Sequence, residues 1–241
     1  MNSISFIFPV RNEERRLDNI NLFIKWCKKN VKSFEIILIS NGSTDNTLKI
    51  LKKIKKKYFF LKYFSLNKSS RGLAIKTGIK NSKFNIIGIC SIDNAWDLNF
   101  YKKSYKILKN KEFSIVFGPK DHSKSEIYRP LIRSIISFVC SIFLKIVFGN
   151  LITEDTQCIK MFKKKDTKLI YKSLSDSNFF SECEFFILSK ILNKKVLSIP
   201  VNVKDNKSNV NIFFIYSFII EALKFRFSSI FKRFYKKYLN F

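Results

Sequence analysis

The stretch that most constrains this chain is Glu35-Ile36-Ile37-Leu38-Ile39-Ser40-Asn41-Gly42-Ser43-Thr44-Asp45-Asn46-Thr47. An aliphatic run ends abruptly in small polar residues. The run has the pattern of a strand buried on both faces. Asn41-Gly42 is a turn dipeptide, because both residues tolerate a positive φ. Ser43 or Thr44 is placed to cap a following helix, with Asp45 in its first turn, where the dipole favours a carboxylate. Strand, tight turn and helix start follow one another, and open α/β sheets bind ligands at that carboxyl edge. Taken alone, the stretch would suit a βα turn in any α/β protein.

Two further strands end in polar groups. Ile4 to Val10 runs into Arg11-Asn12-Glu13-Glu14, and Asn85 to Cys90 runs into Ser91-Ile92-Asp93. Asn12 is placed to cap a helix running to about Asn30, with Glu13 in its first turn. Helices are expected from about Asp45 to Lys57, from Gly72 to about Asn81 and from Asn99 to Asn110. Strands are expected at Leu61 to Leu66, Phe113 to Gly118, Cys158 to Phe162 and Lys195 to Val203. The alternation argues for an α/β fold with a mostly parallel sheet. Ser181-Glu182-Cys183-Glu184 opens a helix to about Leu192, and its Ser-x-x-Glu spacing is that of a capping box.

Composition limits the chemistry. The 241 residues suffice for one domain with a sizeable core. A net charge of +28 suits nucleic acid, an anionic membrane surface or a phosphorylated substrate. The abundant Lys, Asn, Ile, Phe and Tyr have AT-rich codons, so coding bias is a second source of that charge. No RNA-recognition signature or zinc spacing accompanies it, and nucleic acid is not expected as a partner. The five cysteines are scattered and odd in number, which argues against a disulfide framework and for a reduced, cytoplasmic compartment. The single histidine, His122, leaves acid–base work to carboxylates.

The chain resembles the family 2 glycosyltransferases, and within them the polyprenyl-phosphate sugar transferases. The matching residues run in family order through about residue 210. They are Pro9-Val10-Arg11-Asn12-Glu13, Ser40-Asn41-Gly42-Ser43-Thr44-Asp45, Gly72-Leu73-Ala74 with Gly78, Asp93, Gly118-Pro119-Lys120, Glu154-Asp155-Thr156-Gln157, Glu182-Cys183-Glu184 and Ile199-Pro200-Val201. The resemblance implies a GT-A fold over residues 1–210, a Rossmann-like sheet flanked by helices. It implies inverting transfer from a nucleotide-sugar donor to a polyprenyl phosphate or a surface glycan. Donor contacts would come from Pro9, Val10, Asn12, Glu13, Ser40, Asn41, Arg71, Gly72, Ser91, Lys120 and Lys207. Asp93, Asp155 and Glu182 are the catalytic candidates, and Asp155 would face the acceptor.

The family carries an Asp-x-Asp motif whose carboxylates hold a divalent cation on the diphosphate. This chain has Ser91-Ile92-Asp93. Asp93 is therefore the sole metal candidate from the motif, for Mg²⁺ or Mn²⁺, with Asp97 or substrate phosphates as helpers. Ser40-Asn41 stands where the family usually has two aspartates. These departures motivate a rival reading, a non-catalytic transferase domain acting as a scaffold at the membrane. Several candidates also have plain structural readings. Glu13 is a first-turn acid, Arg71 a solvated helix-start residue, Lys120 a solvated loop lysine, and Glu184 a capping-box acid.

Leu131 to Phe148 is apolar almost all round, with Arg133 and Lys145 bracketing the uncharged run 134–144. That run is shorter than the ~18 apolar residues of a spanning helix. It reads either as a buried helix or as one lying in a bilayer surface, and the basic ends favour the second. Residues 211–241 interleave aromatics with Lys and Arg, the pattern of an amphipathic tail that rests on an anionic leaflet. The chain is thus expected at the inner face of the membrane, held peripherally.

Overall fold

A computed structural model describes residues 1–239 except 94, 111, 129, 153–154 and 205–211. The first half alternates strand and helix. β1 is Ser3–Val10, α1 Asn19–Asn30, β2 Ser33–Asn41, α2 Thr47–Lys57, β3 Leu61–Leu66, α3 Arg71–Lys80 and β4 Ile86–Ile89. Then come α4 at Asn99–Lys109, β5 at Ile115–Gly118, β6 at Glu126–Tyr128 and α5 at Leu131–Phe148. The second half holds β7 at Ile159–Lys163, α6 at Lys168–Ser173, α7 at Ser181–Ile191, β8 at Val196–Ser198, β9 at Asn202–Lys204, α8 at Ile212–Phe227 and α9 at Ser229–Leu239.

Among the described residues the main sheet runs β3-β2-β1-β4-β7-β5-β8. Its strands are parallel except β7, which enters antiparallel between β4 and β5. β6 and β9 pair in a small parallel ribbon. The period-two alternation of β1 explains the layers. Ile4, Phe6, Phe8 and Val10 face the core beneath α1, α2 and α4, whereas Ile7 faces the core shared with α3 and α7. α8 and α9 add Phe218, Ala222, Phe225, Phe231 and Phe234 to that second core.

Four local expectations give way. Residues 14–18 are turns, and α1 starts at Asn19. Asn12 instead takes a left-handed φ of 52°, which its short polar side chain tolerates. α2 starts at Thr47 with no side-chain cap from its N-cap residue, because Ser43 and Thr44 bond Asn12 instead. The capping box does not form. Phe180 holds the N-cap position, and the Glu184 carboxylate accepts bonds from Ser175 and Ser177. Lys195 to Val203 is two strands, β8 in the main sheet and β9 in the ribbon, parted at Ile199-Pro200-Val201.

α5 has the predicted bounds. Leu144 and Phe148 are buried, but Leu131 (78 %), Phe138 (67 %) and Ile146 (79 %) are exposed. The expectation that this segment falls short of a span is corrected. Leu131–Leu151 is long and apolar enough to cross a membrane by length and composition.

Candidate active site

The parallel strands β1, β2 and β4 deliver their carboxyl ends to one edge, and there the loops are stitched together. The Asn12 N–H donates to Ser43 Oγ (3.2 Å), and Asn12 Oδ1 accepts from the Thr44 N–H (2.9 Å). The Glu13 N–H donates to Thr47 Oγ1 (2.8 Å), and the Glu14 N–H to Asp45 Oδ2 (3.2 Å). The Asn46 N–H returns a bond to Glu14 Oε2 (3.0 Å). Asn12 thus acts as a loop clamp. Pro9 and Val10 sit at the end of β1 just behind it.

Carboxylates gather along this edge. Burial raises the pKa of Glu13, partly offset by Arg16, whose Nε lies 2.6 Å from Glu13 Oε2; the charges of Asp93 and Asp45 raise it further. Asp93 is exposed, and its Oδ1 accepts from the Ala95 N–H (3.2 Å). Ser91 is also exposed. Asp97 serves the start of α4, accepting from the Asn99 N–H (2.9 Å).

Among the described residues no three His, Cys, Asp or Glu side chains group as a metal cage. Magnesium-like cations at phosphate sites keep several waters and take one or two protein carboxylates, with substrate phosphates completing the shell. A lone exposed Asp93 fits that modest demand.

Ser40 and Asn41 are buried at the end of β2. Asn41 Oδ1 accepts from the Ser70 N–H (2.6 Å), so this side chain sets the start of α3. Ser70 caps α3 by accepting from the Leu73 N–H. Gly72 donates its N–H to Ser177 O (2.9 Å), and a Cβ there would lie 2.4 Å from Ser175 O. Gly72 is thus a close-packing position between α3 and the loop before α7. Gly42 has a φ of 62° and hands its N–H to Leu66 O, locking β2 to the end of β3.

Arg71 begins α3 and reaches Glu182 through Nε and Nη2, each 2.5 Å from Oε1. Lys160 from β7 meets the other oxygen of Glu182. Burial by itself would raise the pKa of Glu182, but Arg71 and Lys160 outweigh it and hold the carboxyl at about 2. Glu182 is a fixed anion between two cations. Lys120 Nζ lies 3.1 Å from Asp155 Oδ2, donates to Gln157 O (3.0 Å) and stands over the Trp96 ring. The Asp155 N–H is bound by both oxygens of Asp121, and Asp155 Oδ1 accepts from the Gln157 N–H. Lys120 and Asp155, expected in separate roles, form one pair. Glu154 and Lys207 lie outside the described residues.

Sequence reasoning missed Lys160, Asp121 and Trp96. Lys160 had a visible signal, a charge inside the apolar run Ile159-Lys160-Met161-Phe162. A cavity of about 470 Å³, lined by Asn85, Tyr105, Lys109, Lys163 and Asp166, opens where β4 begins, at the other edge of the sheet. It takes no part in this constellation.

Solved structures share the fold. Glucosyl-3-phosphoglycerate synthase from Mycobacterium tuberculosis, crystallised with Mn²⁺, UDP-glucose and phosphoglyceric acid, superposes with a TM-score of 0.66 at 14% identity, over 93% of this chain and 79% of that one. S. aureus TarS (residues 1–349) superposes at 0.55 and 15% identity, over 99% and 72%. The fold is GT-A. Curated relatives include a dolichyl-phosphate beta-glucosyltransferase of Dictyostelium discoideum, 28% identical over 216 residues, and one of Trichomonas vaginalis, 25% identical over 214. These alignments take in 83% and 82% of this chain, which spans 65% and 64% of those relatives' lengths. The sequence model described as "Glycosyl transferase family 2" matches residues 5–170, well over half of the chain. The chain belongs to glycosyl transferase family 2.

Proposed function

We propose that this protein transfers glucose from a UDP-glucose donor to a polyprenyl phosphate, with inversion at the sugar carbon. The observation that carries the reading is the stitched carboxyl edge of β1, β2 and β4, with Asp93 exposed at its rim. The names of the curated relatives support glucose as the sugar and a polyprenyl phosphate as the acceptor, and UDP-glucose is the donor crystallised with the M. tuberculosis synthase that shares the fold.

In this reading the nucleoside lies against Pro9, Val10 and the Asn12–Glu13 turn. Arg71, at the first residue of α3, faces the diphosphate, where a guanidinium suits paired phosphate oxygens. Asp93 would hold Mg²⁺ or Mn²⁺, which when bound neutralises charge on the departing nucleoside diphosphate. The acceptor needs no strong base. A phosphate monoester is already largely ionised at neutral pH, its second pKa being ~6. That suits Asp155, whose carboxylate is paired with Lys120. The Lys120–Asp155 pair orients the acceptor. A sugar hydroxyl, by contrast, would call for an unpaired carboxylate.

The exposed apolar side of α5 supports contact with a bilayer, where a lipid acceptor resides. We place that contact at the inner face, because the basic, aromatic sequence of 211–241 suits an anionic leaflet.

The test is a thermal-shift screen of the full chain against UDP, GDP, CDP and dTDP sugars with and without Mn²⁺, followed by transfer to a polyprenyl phosphate. A ligand at 100 times its dissociation constant adds about 2.7 kcal/mol to stability, enough to read in a melt. A selective UDP-glucose shift that needs Mn²⁺, and is lost in Asp93→Ala, is expected. No shift with any donor would overturn the transferase reading in favour of a non-catalytic scaffold.

A further inference from the structure

The Lys160 side chain lies in a strand whose five residues are all buried, and is itself 3% exposed. It meets Glu182, donates to Thr156 O (3.1 Å) and stands 5.2 Å from the Phe186 ring centroid. An ammonium in such a place is costly unless it is paired, and a well-packed apolar residue is often no worse for stability. Its partners show what it holds.

Glu182 lies between Lys160 and Arg71, so one carboxylate serves two cations and the trio keeps a net positive charge. Side-chain exposure rises along it, from 3% at Lys160 and 5% at Glu182 to 35% at Arg71. The excess charge therefore reaches solvent at Arg71. Arg71 is fixed by its backbone too. Its N–H donates to Asn178 Oδ1 (3.2 Å), and the preceding Ser70 N–H donates to Asn41 at the end of β2. Lys160's other bond lands on Thr156, the residue after Asp155. The carboxylate of Asp155 is in turn paired with Lys120.

We propose that Lys160 is a positioning residue that joins the two halves of the site. Through Glu182 it holds Arg71 toward the donor diphosphate. Through the Thr156 carbonyl it holds the Asp155–Lys120 pair on the acceptor side. The inference rests on the transferase reading above and adds to it a residue that touches neither substrate.

The experiment compares Lys160→Met, Lys160→Arg and Glu182→Gln in the full chain. Donor KM, acceptor KM and kcat are measured, with the UDP dissociation constant by calorimetry and the melting curve of each variant. Lys160→Met is expected to raise both KM values and the UDP dissociation constant at least tenfold. Lys160→Arg is expected to recover most of that loss. Glu182→Gln is expected to raise donor KM and weaken UDP binding while leaving acceptor KM within twofold, since the Thr156 bond survives. A purely structural lysine would lower the melting temperature without this split. Both KM values within twofold of wild type in folded Lys160→Met would overturn the proposal. If Lys160→Met does not fold, equal changes in the two KM values of Glu182→Gln overturn it. Wild-type chain that neither binds UDP nor transfers sugar would overturn the transferase reading and the coupling with it, whereas an active wild type with unmoved variants overturns the coupling alone.

Discussion

Glu182 and Glu184 stand two residues apart on α7, and the fold gives them opposite chemistry. Burial dominates at Glu184 and raises its pKa, even though Ser175 and Ser177 donate to the carboxylate. Burial is overcome at Glu182, which is held at about 2 by Arg71 and Lys160. The sign for stability follows. A depressed carboxyl stabilises the fold above its unfolded value near 4.5 and loses that contribution as pH falls toward 2. Melting temperature should therefore drop through that window, and Glu182→Gln should flatten the drop in a pH series of melts. Glu184→Ala leaves the Ser175 N–H and two hydroxyls without their acceptor, at a cost of about 1–3 kcal/mol by denaturant titration. The sequence alone could not show this. Ser-x-x-Glu is a local pattern, and what displaced the capping box was the loop 175–178 folding back onto the helix start.

At the scale of elements, apolar runs and turn residues made β1, β2, β3, α4 and α5 legible, because period and punctuation are local properties. What stayed hidden depends on contacts between elements. Asn12 looked like a helix cap, but its side chain is taken by Thr44 from the next strand end. Lys195 to Val203 looked like one strand, but Pro200 lets the chain leave β8 in the main sheet and join β6 in the ribbon. α5 had the right bounds, yet its surroundings could not be read from its composition. Only Leu144 and Phe148 of the helix are buried, while α8 ties to its end by an Arg226 bond to Val147 O. Polar substitution of its exposed side, as in Ile135→Ser with Phe138→Ser, should weaken cosedimentation with anionic vesicles several-fold and leave the melting temperature within about a degree. An unchanged vesicle affinity would remove α5 from the membrane contact.

For the whole molecule, a charge of +28 acts on every part of the fold at once. Self-repulsion destabilises a compact state, and salt screens it over about 10 Å at 0.1 M. The melting temperature should rise by several degrees from low salt to 0.3 M NaCl, since exposed pairs such as Lys68–Asp176 contribute little that screening could remove. A flat or falling salt series would show that the lysines are too dispersed to repel. The fold class itself was readable from strand–helix alternation. The path of β7 was not, because nothing local marks a strand as antiparallel.

That reversed strand fixes an order of assembly. β5 is flanked by β7 and β8, both of which come later in the chain. β4 likewise waits for β7 along one side. As the polypeptide leaves the ribosome, β1 to β4 can pair among themselves, but Ile115–Gly118 has no pairing strand until residues 159–163 emerge. A nascent chain paused between these points carries half a sheet with one raw edge and a loose apolar strand. That is a form suited to chaperone capture and prone to edge-to-edge aggregation.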